Sequence, residues 1–112
     1  MAAKEAVEIQ EGVVIDHTLT GDVNVGDVVP LGDMVGVAVV SGLSGEVITL
    51  ETEKVWQITA ATADEIVMGA QLYFDATNRV VTTTTTDNTK AGKAVSAKAA
   101  DAAGSVLVKL NA

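Results

Sequence analysis

Apolar residues recur at every second position in short runs, and glycine-containing turns interrupt these runs before they reach helical length. "VVIDHTL" (Val13–Leu19), "MVGVAVV" (Met34–Val40), "EVITLET" (Glu46–Thr52), "VWQIT" (Val55–Thr59) and "SVLVKL" (Ser105–Leu110) are five to seven residues long and rich in β-branched side chains. Runs of that length and period suit strands, because successive side chains of a strand point to opposite faces. Turn signals separate them at Gly21-Asp22, Gly26-Asp27, Gly32-Asp33, Ser44-Gly45 and Ala103-Gly104. Pro30 cannot donate to a ladder, so it should mark a sheet edge or a strand end. Only "TAATADEIVMGA" (Thr59–Ala70) offers a helical turn, with Thr62 or Asp64 as its cap. The expectation is an all-β chain with at most one short helical turn.

A loose internal repeat runs through the strands. One copy starts at Val25, "VGDVVPLGDMVGVAV…GEVITLE", and the other at Met68, "MGAQLYFDATNRVVT…AGKAVSAKAADAAGSVLVKL". In each, a Gly precedes an apolar strand, a second Gly-containing strand follows, and a Gly turn leads into an alternating strand. Two similar β units packed together make a small barrel or sandwich, which hides strand edges. The spacings differ by several residues between the copies. With 112 residues, the chain is expected to form a single β domain over 13–112, preceded by an N-terminal arm (1–12) that is mobile in isolation. Thr82–Thr86 lies inside the second copy. Threonine favours a half-buried pleated surface, so "VVTTTTT" is expected to continue the strand begun at Arg79, with Asp87–Thr89 as the turn after it.

Charge and cysteine content narrow the function classes. Fifteen acidic residues stand against seven basic ones, which argues against binding the phosphates of nucleic acid or of an anionic membrane surface. There is no cysteine, hence no disulfide framework and no thiolate metal site. "MAAKEAVEIQEG" (Met1–Gly12) lacks the apolar core of a signal peptide, and no apolar run approaches the ~20 residues a membrane helix needs. A soluble protein made without a secretion signal is expected.

Catalytic patterns are thin. His17 is the single histidine and alternates with strand positions, so it reads as a strand-face residue. "GLSGE" (Gly42–Glu46) has Glu46 where a nucleophile elbow needs glycine, and "AGKAV" (Ala91–Val95) lacks the upstream glycine and following Ser/Thr of a phosphate loop. Asp22, Asn24 and Asp27 in "DVNVGD" are oxygen donors of the kind calcium takes. However, Gly26 and Asp27 stand in the wrong order for an EF-hand loop, and turn Asp and Asn residues usually cap their own backbone. The remaining carboxylates are dispersed. No enzyme activity, metal or cofactor is expected.

The same glycine and strand pattern resembles the small capsid cement (decoration) proteins of tailed bacteriophages and prophages, formerly a domain of unknown function. The resemblance rests on "QEG" (Gln10–Gly12), "VGDVVPLGDMVGVAV" (Val25–Val39), "GEVITLETEKVWQI" (Gly45–Ile58), "MGAQLYFDATNRVVTT" (Met68–Thr83), "NTKAGKAV" (Asn88–Val95) and "VLVKLN" (Val106–Asn111). The most individual part is "LYFD…VVTT" (Leu72–Thr83) followed by "GKA" (Gly92–Ala94).

The resemblance implies a structural virion protein made in the host cytoplasm. It would bind the outer surface of the expanded head across seams between capsomers, with the major capsid protein as partner and a homotrimer as its assembled form. The N-terminal arm would supply capsid or neighbour contacts through Val7 and Ile9, unless it is a frayed end or a first strand. Trp56 is either a core anchor or an interface hot spot. A different class of function, a β-domain module binding a carbohydrate or cell-surface receptor, has against it that the chain holds only three aromatics.

Overall fold

Alternating β-branched residues form nine strands in a computed structural model that describes residues 13–112; Val7 and Ile9 lie outside the described residues. The first four strands are β1 (Val14–Thr18), β2 (Val28–Pro30), β3 (Val35–Ala38) and β4 (Val47–Glu51). They build an antiparallel sheet in the order β1-β4-β3-β2. Pro30 ends β2 at the edge of this sheet, where its missing N–H breaks no ladder. The other five are β5 (Val55–Ala60), β6 (Gln71–Asp75), β7 (Val80–Thr82), β8 (Thr89–Ala94) and β9 (Gly104–Leu110). Their order is β5-β7-β6-β8-β9, and β9 returns to pair with β5 from Val55↔Lys109 to Ala60↔Gly104, so this sheet closes on itself.

The two copies of the repeat share one hydrogen-bond scheme. In the first unit the Gly26 N–H donates to Ala38 O (2.7 Å) and the Ala38 N–H to Asp27 O (2.9 Å). In the second the Gly69 N–H donates to Ala94 O (2.7 Å) and the Ala94 N–H to Ala70 O (2.9 Å). The isolated bridge Val23↔Gly42 has its counterpart in Ile66↔Lys98. By this correspondence β1, β2, β3 and β4 match β5, β6, β8 and β9. β7 has no match. It lies in the long β6–β8 connection, whereas β2 and β3 are joined by four residues. That insertion accounts for the unequal spacing, and it closes the second sheet by pairing antiparallel with β6 and parallel with β5.

Two expectations need correction. The strand entering the threonine run ends at Thr82, and 83–87 are exposed loop. The Asp64 carboxylate explains the stop: it accepts the Thr82 hydroxyl and the Thr83 N–H (3.0 Å), drawing the chain out of the ladder. The turn closes earlier than Asp87–Thr89, with the Asn88 N–H on Thr85 O (3.2 Å), and Thr89 already belongs to β8. In Thr59–Ala70 the first two residues end β5 and the rest forms turns and an isolated bridge rather than a helix. Neither Thr62 nor Asp64 caps a helix there, because Asp64 is engaged with the threonines.

The main core joins the two units. Val28, Val35 and Val37 of the open sheet pack with Leu72, Phe74, Val81, Val106 and Val108 of the closed one. A smaller cluster, Leu19, Ala38, Ile48 and Leu50, fills the first unit's other face, with Ile15, Val23, Val29 and Leu31 half-buried around it. Burying each such aliphatic side chain contributes roughly 1.5–3 kcal/mol before entropy is counted. Polar contacts supplement the junction: the Arg79 guanidinium donates to Val28 O (2.9 Å) while lying over the Phe74 ring, 4.8 Å from its centroid.

Candidate functional site

The same corner of each unit presents apolar turn residues to solvent. In the first unit these are Val25 (64% exposed) and Leu43 (63%), with Val39 and Val40 beside them. The Val25 N–H donates to the Ser41 hydroxyl (3.1 Å), which ties the two turns together. In the second unit the matching turn carries Val67 (57%) and Met68 (71%). Isolated exposed apolar residues are ordinary, but grouped ones rimmed by polar groups suit a protein contact.

A second feature lies between β1 and β2, the outer strands of the four-stranded sheet in the order β1-β4-β3-β2. A groove of ≈ 250 Å³ there is lined by His17 and Leu19 on the β1 side, Val28–Pro30 on the β2 side, and Asp22, Asp27 and Arg79. His17 is half-buried on β1, opposite Ile48. Charge is distributed unevenly around it. Residues 13–51 hold six carboxylates and no Lys or Arg, while residues 52–112 hold six of each. The folded first unit is therefore acidic and the second neutral.

The two carboxylates singled out in "DVNVGD" are committed to the backbone. Asp27 Oδ2 accepts the Asn24 N–H (2.9 Å), and Asp22 Oδ1 accepts the Ser44 N–H (2.8 Å) of the neighbouring turn. Among the described residues no group of three or more His, Cys, Asp or Glu side chains is placed to hold a metal. In "GLSGE" the Glu46 carboxylate accepts the Leu43 N–H (2.6 Å), so this is a capped turn leading into β4. "AGKAV" lies largely in β8, where Gly92 backs directly onto the β9 backbone.

Trp56 is half-buried against the main core, opposite Val108, and its Nε1–H donates to Glu53 O (2.8 Å). Its outer side remains accessible, so the fold supplies both a packing role and a face for contact. The structure does not bring Trp56 into either the apolar corners or the β1–β2 groove. Two carboxyls are held below the usual range. Asp64 is lowered chiefly by the Thr82 hydroxyl, and Asp75 chiefly by the Asn78 side chain. Both are turn-stabilising groups, and neither faces a partner carboxylate or a histidine suited to proton transfer.

The accessible features of the described residues are the apolar turn corners and the groove between β1 and β2. A family model described as phage cement protein matches residues 9–110. The chain belongs to the phage cement protein family. No curated protein and no solved structure matches it. Cement proteins have a structural role in the phage particle, associated with its capsid. For this cement protein the match takes in both β units, including the β7 insertion that distinguishes them. Sequence reading had missed the apolar corners and the charge asymmetry. The asymmetry is visible by counting along the chain, but the corners appear only when turns distant in sequence are folded side by side.

Proposed function

We propose that this cement protein binds the outer surface of a tailed-phage head, contacts the major capsid protein across seams between capsomers, and stabilises the expanded shell. The observation that carries the reading is the family match over nearly all of the described residues, in a fold whose accessible features are contact surfaces. A ligand that prefers one assembled state stabilises it by mass action, and many equivalent sites add modest contacts into a large effect. The apolar turn corners are the proposed shell-facing patches, with Trp56 and the arm residues Val7 and Ile9 as further contacts. Cyclic association into a trimer fits a protein that occupies a symmetric lattice.

Expanded heads lacking the protein, mixed with it and sedimented, test the proposal. Saturable co-sedimentation, extra density outside the shell in electron micrographs, and a raised disruption temperature of the heads are expected. Sedimentation of the protein apart from the heads would overturn the reading. Sedimentation velocity of the free protein tests the trimer separately.

A further inference from the structure

The six cations of the second unit fall into two groups. Three are used within the chain. Buried Lys98 donates from Nζ to Thr62 O (3.1 Å), Ala99 O (2.8 Å) and Ala102 O (2.8 Å). Arg79 holds Val28 O, and Lys54 pairs with Glu51 (2.9 Å). The other three, Lys90, Lys93 and Lys109, are exposed and have no ion-pair partner among the described residues.

Strand pairing gathers these three on one face. Lys93 stands directly opposite Lys109, and the row continues to Gln71 on β6 and Val55 on β5. The adjacent Ala94, Val108 and Leu110 are buried, so the row faces solvent. Strict alternation would send Lys90 to the other side, three residues from Lys93. A bulge in the β6–β8 ladder, where Gly92 pairs with Leu72 but Lys90 with Tyr73, returns it to the face of Lys93. Exposed Val55 and Leu107 border the lysines. Five of the six carboxylates of this unit lie outside its strands, and the sixth, Asp75, ends β6 and caps its own turn. Like charges directly opposite each other weaken a sheet. Lys93 and Lys109 therefore cost the free protein stability that a partner's carboxylates would restore.

The complementary surface belongs to the first unit. Residues 13–51 hold six carboxylates and no Lys or Arg. Two of them, Asp22 and Glu46, line one recess of ≈ 320 Å³ beside Leu43. Each is oriented by a turn bond, Asp22 Oδ1 accepting the Ser44 N–H and Glu46 Oε1 the Leu43 N–H. The second oxygen of each carboxylate is a further acceptor for an ammonium group. No ion pair joins this recess to the lysines within one chain among the described residues.

We propose that the Lys93–Lys109 row is the docking face for a second copy of this chain, whose Asp22–Glu46 recess receives the lysine side chains. Opposite charge brings the two surfaces together and fixes their register, while Val55 and Leu107 add apolar area at the margin. The contact is head to tail: each copy offers one lysine face and one acidic recess, and only a closed ring leaves neither unmatched. It rests on the self-association proposed above and names the surfaces that join the copies. Val25 and Leu43 of the same corner stay available to the shell.

Carbodiimide cross-linking, which couples lysine to carboxylate without a spacer, tests the contact on the full-length protein, free and on expanded heads. Mixing isotope-labelled and unlabelled protein identifies links between copies. Links from Lys93 or Lys109 to Asp22 or Glu46 of another copy are expected. Sedimentation velocity reads the strength of association. Asp22→Asn with Glu46→Gln keeps both turn acceptors and removes both charges, and should weaken self-association about tenfold or more. Lys93→Glu should weaken it as much while leaving the melting temperature equal or higher, because the like-charge pair with Lys109 becomes an attractive one. Added salt should weaken association of the wild-type protein. Occupied heads without these inter-copy links, links from the two lysines to the shell protein instead, or unchanged association in the variants overturns the contact and leaves capsid binding intact. Links and association in a protein that does not occupy heads would leave the contact standing and overturn the capsid reading.

Discussion

Asn111 holds Val35 from across the molecule. Its Oδ1 accepts the Val35 N–H (3.0 Å), and its Nδ2 donates to Val35 O (2.8 Å) and Thr52 O (2.7 Å). The side chain thus acts as a one-residue strand segment for β3, at the point where β9 of the second unit reaches the first. Its φ of +55° lies in the left-handed region, which Asn tolerates better than most residues. Asn111→Ala leaves these part-buried backbone groups without partners, and each such loss costs about 1–3 kcal/mol. The variant should be destabilised by about 2–4 kcal/mol in urea unfolding, and Asn111→Asp, which loses both donated bonds, by a similar amount. Wild-type stability in either variant would show that the junction does not depend on this contact.

Gly92 and Gly26 should respond very differently to alanine. At Gly92 (φ +152°) a Cβ would collide with the Lys109 carbonyl oxygen on β9. Backbone cannot yield as a flexible side chain does, so Gly92→Ala should cost about 3 kcal/mol. At Gly26 (φ +91°) a Cβ meets only open space, leaving the conformational penalty of about 1–2 kcal/mol. Thermal melts of the two variants should therefore separate clearly, with Gly92→Ala the lower.

Asp64 makes stability depend on pH. The Thr82 hydroxyl, with help from the Thr83 N–H and the Lys98 charge, lowers its folded pKa below the ordinary Asp value of 3.8, despite the opposing effect of burial. A carboxyl whose pKa is depressed on folding contributes stability that is present above its unfolded pKa. That contribution is lost as pH falls through the folded value. The urea midpoint should decline below about pH 4, and Thr82→Val, which removes the main cause, should flatten that decline relative to wild type. A Thr82→Val profile parallel to wild type would contradict the assignment.

Trp56 is the only tryptophan, so its fluorescence reports on one place. Trp56→Phe keeps most of the packing and loses the hydrogen bond to Glu53 O, a change of about 0.5–1.5 kcal/mol. If Trp56 contacts the shell, its emission should shift to shorter wavelength when the protein binds expanded heads, and Trp56→Ala should weaken occupancy beyond the effect of its lower stability. Unchanged emission on saturated heads would confine Trp56 to a packing role.

Most strands were legible because side-chain alternation is a local property of extended backbone. Val47–Glu51 and Gly104–Leu110 can be read from a few neighbouring residues. The turns were legible for the same reason. The end of β7 was not: five threonines have uniform strand preference, and the chain leaves the sheet where Asp64, 18 residues away from Thr82, captures it. The candidate contact surface was less legible still. Val25 and Leu43 become one corner only when separate turns are tied together, and Trp56 could be assigned to core or surface only by seeing what packs on it.

The sequence by itself determined an all-β chain, two related units and an acidic balance, because strand period, turn chemistry and charge are written residue by residue. Tertiary structure alone decided that, among the described residues, the five-stranded sheet closes on itself and the four-stranded one does not. Closure depends on whether the chain between β6 and β8 is long enough to lay β7 beside β5, and the four residues between β2 and β3 leave no chain to do the same. Which strands become neighbours is a matter of long-range pairing, and local alternation does not specify it.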